Sequence, residues 1–127
     1  MSNWFILLFM IFCHVIDDFF IQSAGCLSFL KQYDWWRENE PNHKYRNDYK
    51  VGLLAHGFSW AFMVMLPIFI KYNFNIDGHL VFAFCCNWLL HAWVDHLKAN
   101  CRWTNLIQDQ LIHILQILVL FMLYVLN

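Results

Sequence analysis

The chain reads as an all-α protein, a bundle of four transmembrane helices with an interfacial loop between helices 1 and 2, and three observations lead there. Of 127 residues, 61% are hydrophobic and 20% aromatic, with only 13% charged, too few charges to clothe a soluble domain of this size, so most apolar surface must face lipid. The apolar residues fall into four runs, each near the ~20 residues that cross a hydrocarbon core as a helix. The polar residues inside those runs keep helical spacing. Together these predict a single integral membrane domain over residues 1–127.

The first run covers residues 4–30. It does not read as a cleavable signal peptide, because no positive segment precedes it and His14, Asp17 and Asp18 sit where such a segment is uniformly apolar. A polar stretch follows, Lys31 to Lys50, holding Trp35, Trp36, Arg37, Glu38, Pro41, His43, Lys44 and Arg46; it reads as an interfacial loop with room for a short surface helix. The second span is 51–70, the third 79–98 and the fourth 104–126, joined by brief turns at 73–78 and 100–103.

Lysine and arginine set the orientation. The first loop has five when Lys31 and Lys50 are included, the third turn has Lys98 and Arg102, the second turn has Lys71 alone and the termini have none. The positive-inside rule then places the 31–50 loop in the cytoplasm and both termini outside an inner (cytoplasmic) membrane. A formal net charge of -1 gives no basic stripe for phosphate backbones and excludes nucleic acid as a partner. The five cysteines, Cys13, Cys26, Cys85, Cys86 and Cys101, lie in or beside apolar segments with no CxxC spacing, so they read as packing residues and not as a disulfide framework.

The ionisable residues within the spans carry the functional signal. With a rise of ~1.5 Å per residue, His56 lies ~8 Å inside the start of span two, and His91 and Asp95 lie roughly 10 and 5 Å from the end of span three. Asp109 and His113 lie about 8 and 14 Å into span four. Asp18 and Gln22 follow His14 toward the same side, so four helices of alternating direction bring their polar residues to one leaflet. Residues four apart share a helix face. His14, Asp18 and Gln22 form one stripe; His91, Asp95 and Lys98 a second; Asp109, His113 and Gln116 a third. A His and a carboxylate at that spacing bind one metal together, or the carboxylate orients the imidazole.

Ionisable groups at such depth are costly and mark a functional site. Four histidines and three carboxylates need a neutralising partner, which one or two divalent cations supply. The expected metal ligands are drawn from His14, Asp18, His56, His91, Asp95, Asp109 and His113, and the mixed donors favour zinc. His56 taken alone fits a hydrogen-bonded packing role equally well. Asp17 reads as a snorkelling or capping residue, His43, His79 and His96 as solvated or interfacial, and Gln22 and Gln116 as interhelical hydrogen-bond partners. Lys98 reads either as an interfacial anchor or as a holder of anionic substrate.

The ordered set of His14, Asp18 and Gln22, then His56, then His91, Asp95 and Lys98, then Asp109, Gln110 and His113 resembles the DUF3307 family of small bacterial and phage membrane proteins, whose function is unknown. The likeness covers the four spans and leaves the 31–50 loop unaligned. A looser likeness to membrane-bound metal-dependent hydrolases implies a reaction class by analogy, although this chain has no long soluble loop to hold a substrate.

Three functions are open from the sequence. In a metal-dependent hydrolase acting on a lipid or lipid-linked ester or phosphoester, Asp18 or Asp95 serves as general base and Lys98 holds phosphate or stabilises developing charge; no G-x-S-x-G is present for serine chemistry. In a proton or metal transporter the same groups form a relay, the missing outer half being supplied by a homo-oligomer interface. In a structural or regulatory envelope protein the metal ties the helices together, and the Trp35–Trp36 loop meets a membrane-protein partner.

Overall fold

The computed structural model describes residues 2–22, 27–40 and 42–127, which are helical apart from short connections, with no strand among them. Helix α1 is Asn3–Ile21, wound as an α-helix over Asn3–Val15 and as a π-helix over Ile16–Ile21. Two short helices follow, α2 (Leu27–Leu30) and α3 (Tyr33–Asn39). Then come α4 (Tyr49–Lys71), α5 (Gly78–Ala99) and α6 (Leu106–Leu126). Helices α1, α4, α5 and α6 are each long and apolar enough to cross a membrane, and the protein is a four-helix membrane bundle.

Helix starts are set by local chemistry. Ser2 accepts from the Phe5 amide at 3.3 Å, Asp77 from the Leu80 amide at 2.8 Å, and Asn105 and Gln108 form a reciprocal capping box. Within the first apolar run, 4–30, helix is described over Asn3–Ile21 and again over Leu27–Leu30. Residues 23–26 lie outside the described part, with the readings of Cys26, Pro41 and the His43 side chain. Beyond them α2 is a separate turn packed against α4. The surface helix expected in the loop is α3, whose Trp36 indole donates to the Leu30 carbonyl at 2.8 Å while Trp35 packs on Phe29.

Helix α4 is the central element. A Cβ on Gly57 would stand 3.0 Å from both the Ala92 Cβ and the Trp88 carbonyl, so a small residue here lets α4 and α5 approach closely; the Trp88 indole then reaches the Leu54 carbonyl at 2.7 Å. Gly52 is tighter still. A Cβ there would lie 2.8 Å from the carbonyl carbon and oxygen of Leu30 and 2.9 Å from the Lys31 nitrogen, backbone atoms that cannot rotate away. Gly52 therefore allows the α2 end to cross α4, and Asn100 clamps that crossing, donating to the Lys31 carbonyl at 3.1 Å and accepting from the Tyr33 amide at 2.6 Å.

The interior divides in two. One end is an apolar core of Ile6, Met10, Val64, Met65, Ile68, Ile117, Leu120 and Phe121. The other end, where α1 and α5 finish and α4 and α6 begin, buries His14, Asp17, Lys31, His56, His91, Asp95, Asp109 and His113. Outward faces carry Trp4, Leu8, Phe12, Phe82, Leu111 and Leu115, as lipid contact requires. The described cysteines, Cys13, Cys85, Cys86 and Cys101, are free thiols.

Gly52→Ala forces the Leu30–Lys31 backbone away from α4 and is expected to cost roughly 1–3 kcal/mol. Thermal unfolding in detergent reads this directly, with Gly78→Ala, where a Cβ meets nothing within 4 Å, as the control. Equal melting of both variants would refute the crossing constraint.

Candidate metal centre

All seven ligand candidates come together. His14 and Asp18 arrive on α1, His56 on α4, His91 and Asp95 on α5, and Asp109 and His113 on α6. His91, Asp109 and His113 are fully buried, His56 and Asp95 nearly so. Two groups of donor atoms lie close enough to share an ion, Asp18 with His56 and His91, and His91 with Asp95 and His113.

The first group has metal-site spacing. His56 Nε2 stands 3.2 Å from His91 Nε2, 3.4 Å from Asp18 Oδ1 and 3.4 Å from Asp95 Oδ2. Ligand atoms at ~2.0–2.1 Å around a tetrahedral ion stand about 3.3–3.4 Å apart. The second group is wider: His113 Nε2 is 3.6 Å from Asp95 Oδ1 and 3.5 Å from Asp109 Oδ1. Five buried atoms of the cluster have no hydrogen-bond partner, namely Asp17 Oδ2, Asp18 Oδ1, His91 Nδ1, Asp109 Oδ1 and His113 Nε2. Buried polar atoms without partners are rare and call for an explanation such as an ion.

Groups on the far side of the His113 and His56 rings select their tautomers. His113 Nδ1 lies 3.0 Å from Gln116 Oε1, and the Gln116 amide is itself oriented by donating to Asn87 Oδ1 at 3.2 Å. The His113 proton therefore sits on Nδ1, leaving the Nε2 lone pair facing Asp95 and Asp109. The Asp17 carboxylate stands 3.6 Å from His56 Nδ1 and favours the proton there, which turns the His56 Nε2 lone pair toward His91 and Asp18. Such far-side partners are how proteins orient metal-binding imidazoles.

His14 is arranged the opposite way. The Trp60 indole donates to its Nδ1 at 2.8 Å. Gln110 donates to Asp18 at 3.0 Å and to Asp109 at 3.2 Å, so its oxygen faces His14 Nε2 at 3.1 Å and accepts from it. Both His14 nitrogens are thus occupied. This ring belongs to neither donor group and instead braces Gln110, which holds two of the carboxylates.

Trp60 forms the floor. Its ring stacks on His91 with centroids 4.1 Å apart and planes at 14°, and it also touches His14 and His113. Beyond it lies the apolar core, beside which the Gln116–Asn87 pair is also buried.

Asp17 and Lys31 carry roles that the sequence reading did not give them. Asp17 neither snorkels nor caps: it is fully buried, accepts from the Ser59 hydroxyl at 2.5 Å and faces His56. Asp17 and Asp18 both lie in the π-wound stretch Ile16–Ile21, and both carboxylates face His56. Lys31, counted among the loop charges, is buried and donates to Asp95 Oδ2. Gln22, with its amide turned to suit its neighbours, accepts from the same ammonium. Lys98 donates to Asp109 Oδ2 at 2.5 Å and lies 3.7 Å from Asp95 Oδ1, so it is a member of the cluster and not an interfacial anchor. Gln116 bridges α6 to α5 as expected. His79 is exposed, whereas His96 is half-buried between Tyr49, Asn100 and Cys101.

With the four carboxylates ionised and the imidazoles neutral, Asp17, Asp18, Asp95 and Asp109 against Lys31 and Lys98 carry two net negative charges, which one divalent cation would offset. Lys98 already stands where a second ion would bind Asp95 and Asp109.

Among the described residues the cluster opens to the outside at a cleft of ≈ 250 Å³ lined by Asp18, Gln22, Ser28, Lys98 and Gln110, together with Phe19 and Leu106. Neither a protein-family model, nor a curated protein, nor a solved structure matches the chain, so the residues themselves carry the functional reading.

Nitrogen-15 spectra of histidine-labelled protein at neutral pH are expected to show His56 and His113 protonated on Nδ1 and His14 on Nε2. Gln110→Leu should release the His14 preference and leave His113 unchanged. A wild-type His14 carrying its proton on Nδ1 would overturn this assignment.

Proposed function

We propose that the protein is a membrane-embedded metal-dependent hydrolase acting on a lipid or lipid-linked ester or phosphoester, with one divalent ion, zinc by its donors, held by Asp18, His56 and His91. The observation that carries this reading is His56 Nε2 standing 3.2 Å from His91 Nε2 and 3.4 Å from Asp18 Oδ1, beside a cleft open to reactants. Its ordered His and Asp residues also support kinship with the DUF3307 family. The charge distribution of the loops supports an inner-membrane location with the centre at the cytoplasmic leaflet and both termini outside.

A divalent ion in this nest supplies Lewis acidity and lowers the pKa of a bound water toward 7. The chain's own groups do the rest. Asp95, 3.4 Å from His56 Nε2, accepts the proton of the attacking water. The water oxygen bonds to the ester carbon or phosphorus, the ester bond breaks, and the departing alcohol takes the proton back from Asp95. Lys98, one-quarter exposed in the cleft, offsets the negative charge that develops. Gln110, Asp17 and Gln116 hold the reacting groups in register.

Transport has less support within one chain, because Trp60 and the apolar core close the route beyond the cluster. A structural role would give a bound ion without turnover.

Elemental mass spectrometry on purified protein is expected to find about one metal per chain, retained near neutral pH and released on acidification, as protons compete for the ligand groups. Asp18→Asn/His91→Ala should lose it, and His14→Ala should keep it with roughly 10–100-fold weaker affinity. Metal-free wild type prepared without chelators would sink the hydrolase reading.

With metal present, Lys98→Met should lower turnover of a phosphoester lipid by roughly 10²–10³-fold and Asp95→Asn by about 10²–10⁴-fold. A wild type that binds metal stoichiometrically yet cleaves no ester or phosphoester lipid would favour the structural role.

A further inference from the structure

The route by which a reactant reaches the centre follows from where the cluster is open. His56, His91, Asp95, Asp109 and His113 are sealed from outside, and Trp60 with the apolar core closes the far end. Lys98 is 25% exposed and Asp18 6%, and both face the cleft between α1, α2 and α6. A reactant must therefore arrive there.

The cleft has two chemistries. Its floor is polar, with Asp18, Gln22, Ser28, Lys98 and Gln110. Its rim is Phe19 and Leu106, large apolar side chains about half exposed on spanning helices. Phe19 lies near the end of the first span and Leu106 opens the fourth, so the rim stands at the depth of lipid headgroups, and the exposed Ile107 and Leu111 continue it toward the hydrocarbon. A fully water-soluble ligand would leave that rim unused, and a purely apolar one would strand the floor.

The floor also selects charge. An ammonium has three N–H donors; Asp109 engages one at Lys98, which leaves others for a ligand, and Ser28 adds a hydroxyl. Behind them Asp18 repels an anion until a cation is bound. We infer that the cleft is a lateral port that takes the phosphate-ester head of a membrane amphiphile directly from the bilayer, after the metal has bound. This deepens the hydrolase reading and rests on it: the port names the substrate class as anionic and lipid-borne.

The test uses full-length protein in nanodiscs doped with either phosphatidic acid or diacylglycerol, each carrying the same photoreactive acyl chain, with metal content measured on the same samples. Phosphatidic acid is expected to label peptides containing Phe19 and Leu106 roughly ten-fold more than diacylglycerol, the ratio that one hydrogen bond to a charged group supplies. Ser28→Trp and Leu106→Trp, which fill the cleft and leave Asp18, His56 and His91 in place, should cut that label to the diacylglycerol level with metal content unchanged. Equal labelling by the two lipids in metal-loaded wild type overturns the port, whatever the variants do. Labelling confined to the apolar groove between α5 and α6, lined by Phe82, Leu90, Leu115 and Leu123, overturns it too. Loss of the label on adding millimolar inorganic phosphate identifies free phosphate as the occupant and removes the lipid assignment. A wild type without metal that still labels at the rim overturns the metal requirement and the hydrolase reading with it, and leaves only an anion-selective lateral cleft.

Discussion

Everything at the polar end of this bundle follows from one constraint: four carboxylates are buried among four apolar helices with only two lysines to offset them. An isolated charge in such surroundings costs many kcal/mol, and a buried pair is favourable only when its remaining lone pairs and protons are satisfied. The cluster meets that demand partly from within. Ser59 and Gln110 donate to carboxylates, Lys31 and Lys98 supply charge, and the residue of two negative charges and several unpartnered atoms coincides with a nest of ligand spacing. Charge, geometry and unmet hydrogen bonds thus point to the same place independently.

That demand reaches into parts of the fold that look unrelated to chemistry. Lys31 can lie against Asp95 only because its backbone crosses α4 at Gly52, and the crossing holds because Asn100 ties it to the end of α5. Trp60 separates the two compartments with one side chain, its ring packed on His91 and its N–H spent on His14. A smaller residue would open the polar cluster to the apolar core, and a ring without the N–H would leave His14 free to change tautomer and Gln110 free to turn.

The four spans were legible because composition and run length report the solvent a helix faces, and the gathering of the site was legible because depth along a helix is arithmetic. Three features were not. The π winding over Ile16–Ile21 is announced by no residue spacing, and Asp17, off the His14–Asp18 stripe, faces the interior within it. Lys31 lies in a stretch rich in charge, where its neighbours Arg37, Lys44 and Arg46 made it one solvated residue among several; its burial is decided by Gly52, a residue twenty-one positions away in sequence. His14 sits on the same stripe as Asp18, and spacing cannot tell a ligand from the residue that braces one. The hydrogen bonds from Trp60 and Gln110 make that distinction, and they come from other helices.

The one-sidedness of the cluster bears most directly on what it does. A conduit needs polar groups at both ends of the bundle, whereas beyond Trp60 the described interior is the apolar core of Ile, Val, Met, Leu and Phe, with Asn87 and Gln116 paired beside it. A purely structural tie between helices would gain most from a site closed on every side, yet Asp18 and Lys98 face a cleft whose rim lies at headgroup depth. Burying ten ligand-type and bracing groups while leaving two of them reachable is the arrangement expected of a centre that works on something brought to it. The direction of that opening, sideways between two spanning helices, makes the surrounding lipid the nearest source.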